Sequence, residues 1–171
     1  MSTKINPSII VIDHFKTLRQ NQIGKILFDD ILIFFLLPIL LSLLLLIFGQ
    51  YLNDNLITIF VTSLSIFAAL LFNLLLLIFD IVNKEDHKND KSTLKIRYLK
   101  EIYSNISYSI LISIIAIIAL LVAYIDIPLT YLNFVLGFIS YTLIIQFLLT
   151  LFMVLKRVHI LLSKEFQNGT M

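Results

Sequence analysis

Four stretches of this chain contain no Asp, Glu, Lys, Arg or His: residues 31–48, 56–79, 106–125 and 134–155, of 18, 24, 20 and 22 residues. A helix needs about 20 apolar residues to cross the roughly 30 Å hydrocarbon core of a bilayer. The last three runs are long enough as they stand, and the first becomes so by extension through Gly49–Leu52, giving spans at 31–52, 56–79, 106–125 and 134–155. In hydrocarbon the backbone must satisfy its own hydrogen bonds, so the runs are expected to be helices. The expected fold is an all-α membrane protein with four transmembrane helices. Composition agrees: 59% of residues are hydrophobic and 14% charged, against about 25% charged in an ordinary soluble domain. The mostly polar stretch before the first run, with no small-residue cleavage site after it, makes that run a span rather than a signal peptide.

The basic residues fix an orientation. Lys4, Lys16, Arg19 and Lys25 precede the first run, and Lys84, Lys88, Lys91, Lys95, Arg97 and Lys100 lie between the second and third. Lys156, Arg157 and Lys164 follow the fourth, which accounts for all 13 Lys and Arg. The connections 49–55 and 126–133 have none. By the positive-inside rule, both termini and the central loop are expected on the cytoplasmic side. Tyr51, Tyr124 and Tyr131 then mark the outer boundary, and Tyr103 and Tyr108 the inner one.

The chain divides accordingly into a cytoplasmic or interfacial segment 1–30, a bundle 31–155 with a cytoplasmic loop 83–105, and a tail 156–171. Asn6-Pro7 reads as an N-cap followed by Pro at the first helical position. Ile9, Ile12 and Phe15 recur at helical spacing with Asp13, Lys16 and Arg19 between them, predicting an N-terminal interfacial amphipathic helix over 7–20 with a hinge near Gly24. Its apolar side serves as a membrane anchor or as a dock for a cytosolic partner. In the central loop Ser92 is a candidate N-cap, and the chain is expected to turn near His87–Lys91.

No pattern for covalent or metal chemistry occurs. Cysteine is absent, there is no G-x-S-x-G or H-E-x-x-H, and His14, His87 and His159 lie on separate segments without metal-ligand spacing. No span carries a carboxylate for a proton relay. The expectation is a non-enzymatic protein without cofactor or metal and without direct nucleic-acid binding.

Each span does carry one small or polar face. In the second, Thr58, Thr62, Ser65, Ala69 and Asn73 recur every three to four residues, and Asp80 continues the face. In the fourth, Thr142, Gln146 and Thr150 fall four apart, with Arg157 below them. The third has Ser109, Ser113, Ala116, Ala119 and Ala123; the first has Pro38, Ser42 and Gly49, with Pro38 a candidate hinge. Such faces pack helices together or line a water-filled path. Thr62, Ser65, Asn73, Thr142, Gln146 and Thr150 are the candidate residues for either role, the amides of Asn73 and Gln146 above all, because an amide facing lipid is costly.

The run Ile12-Asp13-His14-Phe15-Lys16-Thr17-Leu18-Arg19, followed by Gly24-Lys25 and Phe28-Asp29-Asp30, and the stretch LFMVLKRVHILL over Leu151–Leu162, resemble small bacterial four-span inner-membrane proteins. Some of these are anti-phage defence membrane effectors of the Hailong or Kiwa type. The resemblance implies a homo-oligomer in the lipid bilayer, held or triggered by a cytosolic protein partner. The expected function is therefore a pore-forming or membrane-perturbing effector controlled from the cytosol. The alternatives are a membrane anchor or accessory subunit that recruits a cytosolic partner, and an immunity or holin-like protein.

Overall fold

The computed structural model describes residues 6–17, 32–86, 93–125 and 130–168. Among them the chain is all-helical: α1 (Ser8–Thr17), a π-helical turn (Leu32–Leu36) running into α2 (Leu37–Ile47), α3 (Asp54–Asp86), α4 (Thr93–Tyr124) and α5 (Thr130–Asn168). Gly24, the expected turn near His87–Lys91 and the candidate cap Ser92 lie outside the described residues.

Three helices are long and apolar enough to cross a membrane, over Asp54–Asn83, Tyr98–Tyr124 and Tyr131–Ser163, which points to a multi-pass membrane protein. Large apolar side chains are exposed along all four long elements, among them Leu40, Ile66, Ile118 and Phe152. Water would be a poor solvent for such a surface.

The first apolar run forms a shorter element than the other three. The π-helical turn and α2 together hold sixteen residues, about 24 Å of rise. The stop has a local cause. Gly49 takes φ +76°, its N–H bonds to Leu46 O at 3.0 Å, and the N–H of Gln50 bonds to Leu45 O at 3.0 Å. That pair of bonds around a left-handed glycine ends the helix, so the residues beyond Phe48 form a turn and do not lengthen the helix. At the other end Pro38, which is buried, is the second residue of α2, just after the wide π-helical turn. The π register relieves the clash between the proline ring and the carbonyl four residues earlier that an α-helix would impose.

The helices pack in the order α3–α4–α5–α2, and α1 docks on α4. The seam of α3 is a strict seven-residue repeat, Ile57, Leu64, Leu71 and Ile78, all buried. This is the narrow stripe of coiled-coil-like packing. On α4, Ser109, Ser113 and Ala116 are fully buried, and their small volume lets neighbouring backbones approach. Phe60 reaches Tyr141 (ring centroids 6.2 Å apart) and Phe67 reaches Phe147 (6.1 Å), so aromatic side chains fill the space between α3 and α5.

The α2–α5 contact uses the small and polar positions of both helices. Gly137 lies against Leu46, whose Cδ2 would be 3.5 Å from a Cβ placed there. Ser42 Oγ is 2.8 Å from Thr142 Oγ1. Each hydroxyl also has a carbonyl of its own helix in reach, Ile39 O at 3.0 Å from Ser42 and Phe138 O at 2.7 Å from Thr142, so either can be the donor between the two.

Candidate functional site

Two polar arrangements separate from the apolar bundle: a buried cluster joining α1 to α4 and α5, and an outward face of α3.

The cluster begins with the cap of α1. Asn6 Oδ1 accepts the Ser8 N–H at 3.0 Å, starting a helix whose inner side carries Ile10, Val11, His14 and Thr17. His14 is 2% exposed. Its ring lies flat on Tyr108, with centroids 3.8 Å apart and planes within 4°, and meets Phe15 and Phe34 edge-on. Phe15 in turn stacks on Phe35 at 5.5 Å. Gln146 Nε2 donates to Tyr108 Oη at 2.8 Å, fixing the phenol from the α5 side.

Asn105, fully buried, closes the cluster. One terminus of its amide is 2.9 Å from His14 Nδ1 and 2.8 Å from Thr17 Oγ1. Thr17 Oγ1 is also 2.7 Å from His14 O, and its single proton must go to that carbonyl, which can only accept. With Nδ2 as the terminus facing His14 and Thr17, two amide protons meet two acceptors. With Oδ1 there, Thr17 has one proton for two acceptors; in either orientation the other amide atom is buried without a partner among the described residues. The first orientation satisfies more groups, and it sets His14 as the tautomer protonated on Nε2. Burial pushes the His14 imidazole down from 6.5 to about 4, and the charge of Arg157 adds to the lowering. His14 is thus neutral at pH 7.

Arg157 completes the joint from α5. Its Nη1 donates to Glu101 Oε2 at 2.9 Å and its Nη2 to the carbonyl of Thr17, the last residue of α1, at 2.7 Å. The side chains of the ion pair are only 15% and 21% exposed. A planar guanidinium serves both acceptors at once, and a cation at a helix C-terminus also suits its dipole.

The candidate residues named from sequence part company here. Thr142, Gln146 and Thr150 of α5 turn inward: Thr142 to Ser42, Gln146 to Tyr108, and Thr150, buried, to Gln146 O at 2.8 Å. Thr62, Ser65 and Asn73 of α3 are exposed, as are Thr58, Ala69 and Asp80, on the side away from the Ile57–Ile78 seam. The hydroxyls need no outside partner, because Thr58, Thr62 and Ser65 bond to the carbonyls of Asp54, Thr58 and Val61 at 2.8, 2.8 and 2.7 Å. Asn73 has no such recourse: its amide makes no hydrogen bond among the described residues. It lies six residues, about 9 Å, inside the end of the apolar run at Phe79. Only 11% of the apolar window of α3 is buried, against 39% for α4 and 33% for α5, so α3 is the span with most surface left for a neighbour.

Ile9 and Ile12, read from sequence as the apolar side of the N-terminal helix, are 63% and 51% exposed, while Phe15 is half-buried. His14, Asn105 and Tyr108 were not singled out as a unit. The available signal was His14 and Thr17 sharing a face with Ile10, a polar pair on an otherwise apolar side. Among the described residues no three His, Asp or Glu side chains gather as a metal site would require. No family model, curated protein or solved structure matches the chain.

Proposed function

We propose that this chain is a non-enzymatic, four-span protein of the bacterial inner membrane with both ends in the cytoplasm. It acts as a homo-oligomer that opens or perturbs the membrane, with α1 as the element through which a cytosolic partner controls it. One observation carries the reading: the amide of Asn73 stands unpaired on the outward face of an apolar helix. In lipid that amide would forfeit its hydrogen bonds. A second copy of α3 offers the matching group, since a carboxamide is both donor and acceptor and pairs with its own kind. Water in a path between copies would serve it as well. The hydroxyl and alanine positions above Asn73 give the same face a small, adaptable profile suited to either arrangement.

The placement of α1 supports control from the cytosol. The helix is held at the end of the bundle marked by Arg157, on the basic side of the chain, and its exposed Ile9 and Ile12 are available to lipid or to a partner. An anti-phage effector role of the kind the sequence resembles is the biological setting we propose.

The test pairs assembly with leakage. Wild-type chain, induced with its partner or trigger, should depolarise cells, and Asn73→Leu should abolish or reshape that conductance. The variant's assembly should weaken only modestly, by about 1–2 kcal/mol, since hydrogen bonds inside membranes contribute little more. Failure of the wild type to depolarise under any trigger would contradict the pore and leave the anchor reading.

A further inference from the structure

Where α5 leaves the apolar core, a groove of about 430 Å³ opens beside it, bounded by α4, the π-helical turn and the end of α1. Its lining is two-sided. Phe34, Phe152, Met153 and Ile160 form an apolar wall, and Lys156 and Arg157 a basic one. Glu101 also borders the groove, but it is matched by Arg157 at 2.9 Å. The ammonium of Lys156 is exposed and makes no ion pair among the described residues, so the groove carries one unneutralised positive charge. The opening is lateral: Phe152 and its neighbour Leu155 are 66% and 62% exposed, on the surface that faces lipid if the helices span.

We infer that this groove seats an anionic phospholipid of the inner leaflet, with its phosphate at Lys156 and the start of an acyl chain along Phe152 and Met153. A small free anion would use the charge and leave the apolar wall empty. A neutral amphiphile would use the wall and leave Lys156 unmatched. A basic pocket at the cytoplasmic end of transmembrane helices has the setting such headgroups require. Thr17 borders the groove, so its occupant touches the segment that anchors α1. The inference rests on the membrane placement proposed above and is independent of whether the protein conducts.

The full chain, purified from bilayers containing phosphatidylglycerol and phosphatidylcholine, should retain phosphatidylglycerol in native mass spectra about fivefold more than phosphatidylcholine, the factor corresponding to about 1 kcal/mol per basic residue near a membrane surface. Lys156→Gln should bring the ratio close to one. Lys100→Gln, an exposed lysine outside the groove, should leave it unchanged. Met153→Trp, which fills the apolar wall without altering charge, should lower phosphatidylglycerol retention. Equal retention of the two lipids by the wild type, or an unchanged ratio in Lys156→Gln, would overturn the inference. So would displacement of the lipid by millimolar inorganic phosphate, which would make the groove a site for free anions. A single cysteine placed at Ser163 and labelled from outside the cell would instead overturn the membrane placement, leaving the retention measurement in detergent to stand by itself.

Discussion

Arg157→Ala should release α1 from the bundle. The substitution removes two charge-assisted hydrogen bonds at once, taking the Arg157 guanidinium from the Glu101 carboxylate, which is about one-fifth exposed, and the donor from the Thr17 carbonyl. Breaking one side of a buried pair costs about 3–5 kcal/mol, and the residual exposure here brings the expected loss to about 2–3 kcal/mol. A spin-label pair at Ser8→Cys and Tyr103→Cys reads the effect, both positions being exposed and the chain otherwise free of cysteine. The single narrow distance expected of a docked α1 should give way to a broad distribution. Arg157→Lys should rescue only in part, because an ammonium lacks the fork that spans both acceptors. Replacing Arg157 and Glu101 together by Met should recover most of the bundle's thermal stability but not α1 docking, since the Thr17 carbonyl still lacks a donor. An unchanged distance distribution in Arg157→Ala would show that the aromatic contacts of His14 hold α1 without it.

Docking of α1 should weaken as pH falls from 6.5 toward 4. His14 docks as the neutral imidazole, with its titration lowered to about 4, whereas a released α1 exposes it to water with the ordinary value of about 6.5. Between these values the released form binds the proton that the docked form refuses, so docking is fully supported above 6.5 and progressively lost below it. Across the whole interval the change is about 3 kcal/mol. The groups facing His14 explain the direction. Tyr108 of α4 covers one face of the ring, Arg157 of α5 adds a repelling charge, and Glu101 is already matched by Arg157. The same label pair measures the effect, and His14→Gln, which keeps a polar end toward Asn105 but cannot charge, should remove the slope above pH 5. A slope persisting in His14→Gln would move the titration to another group.

Much of this architecture is written in the chain, but not which way its helices turn. Runs without charge, long enough for a bilayer, mark the helices directly. The end of α2 at Ile47 was less visible: residues 31–48 carry no charge to mark a boundary, yet Gly49 in a left-handed conformation closes the helix before the extension through Leu52. Rotation was hidden for a different reason. In α3 large apolar residues flank the seam on both sides, Ile59, Ile66, Leu70 and Leu77 among them, so the buried repeat at Ile57, Leu64, Leu71 and Ile78 does not stand out from them. Asn73 and Gln146 looked alike in sequence, each an amide in an apolar run. Only the packing of α5 on α4 turns Gln146 inward to Tyr108, while the seam of α3 turns Asn73 outward. The His14–Asn105 contact joins residues 91 positions apart, and local periodicity carries no information about such a pairing. The bases and the cap at Asn6 are local signals, which is why the start of α1 could be read from them.

The claim on which the proposed function depends is that the outward face of α3 meets a second copy of the chain. Ala69 lies on that face between Ser65 and Asn73 and is exposed, so Ala69→Cys leaves the amide in place and introduces a lone thiol into a cysteine-free protein. Oxidative cross-linking in intact membranes should join Ala69→Cys chains into disulfide-linked dimers, and Asn73→Leu in the same background should reduce the yield. A cysteine at Ile118, equally apolar in setting and exposed on α4, should stay largely monomeric. Monomer at both positions, or equal cross-linking at both, would contradict the account.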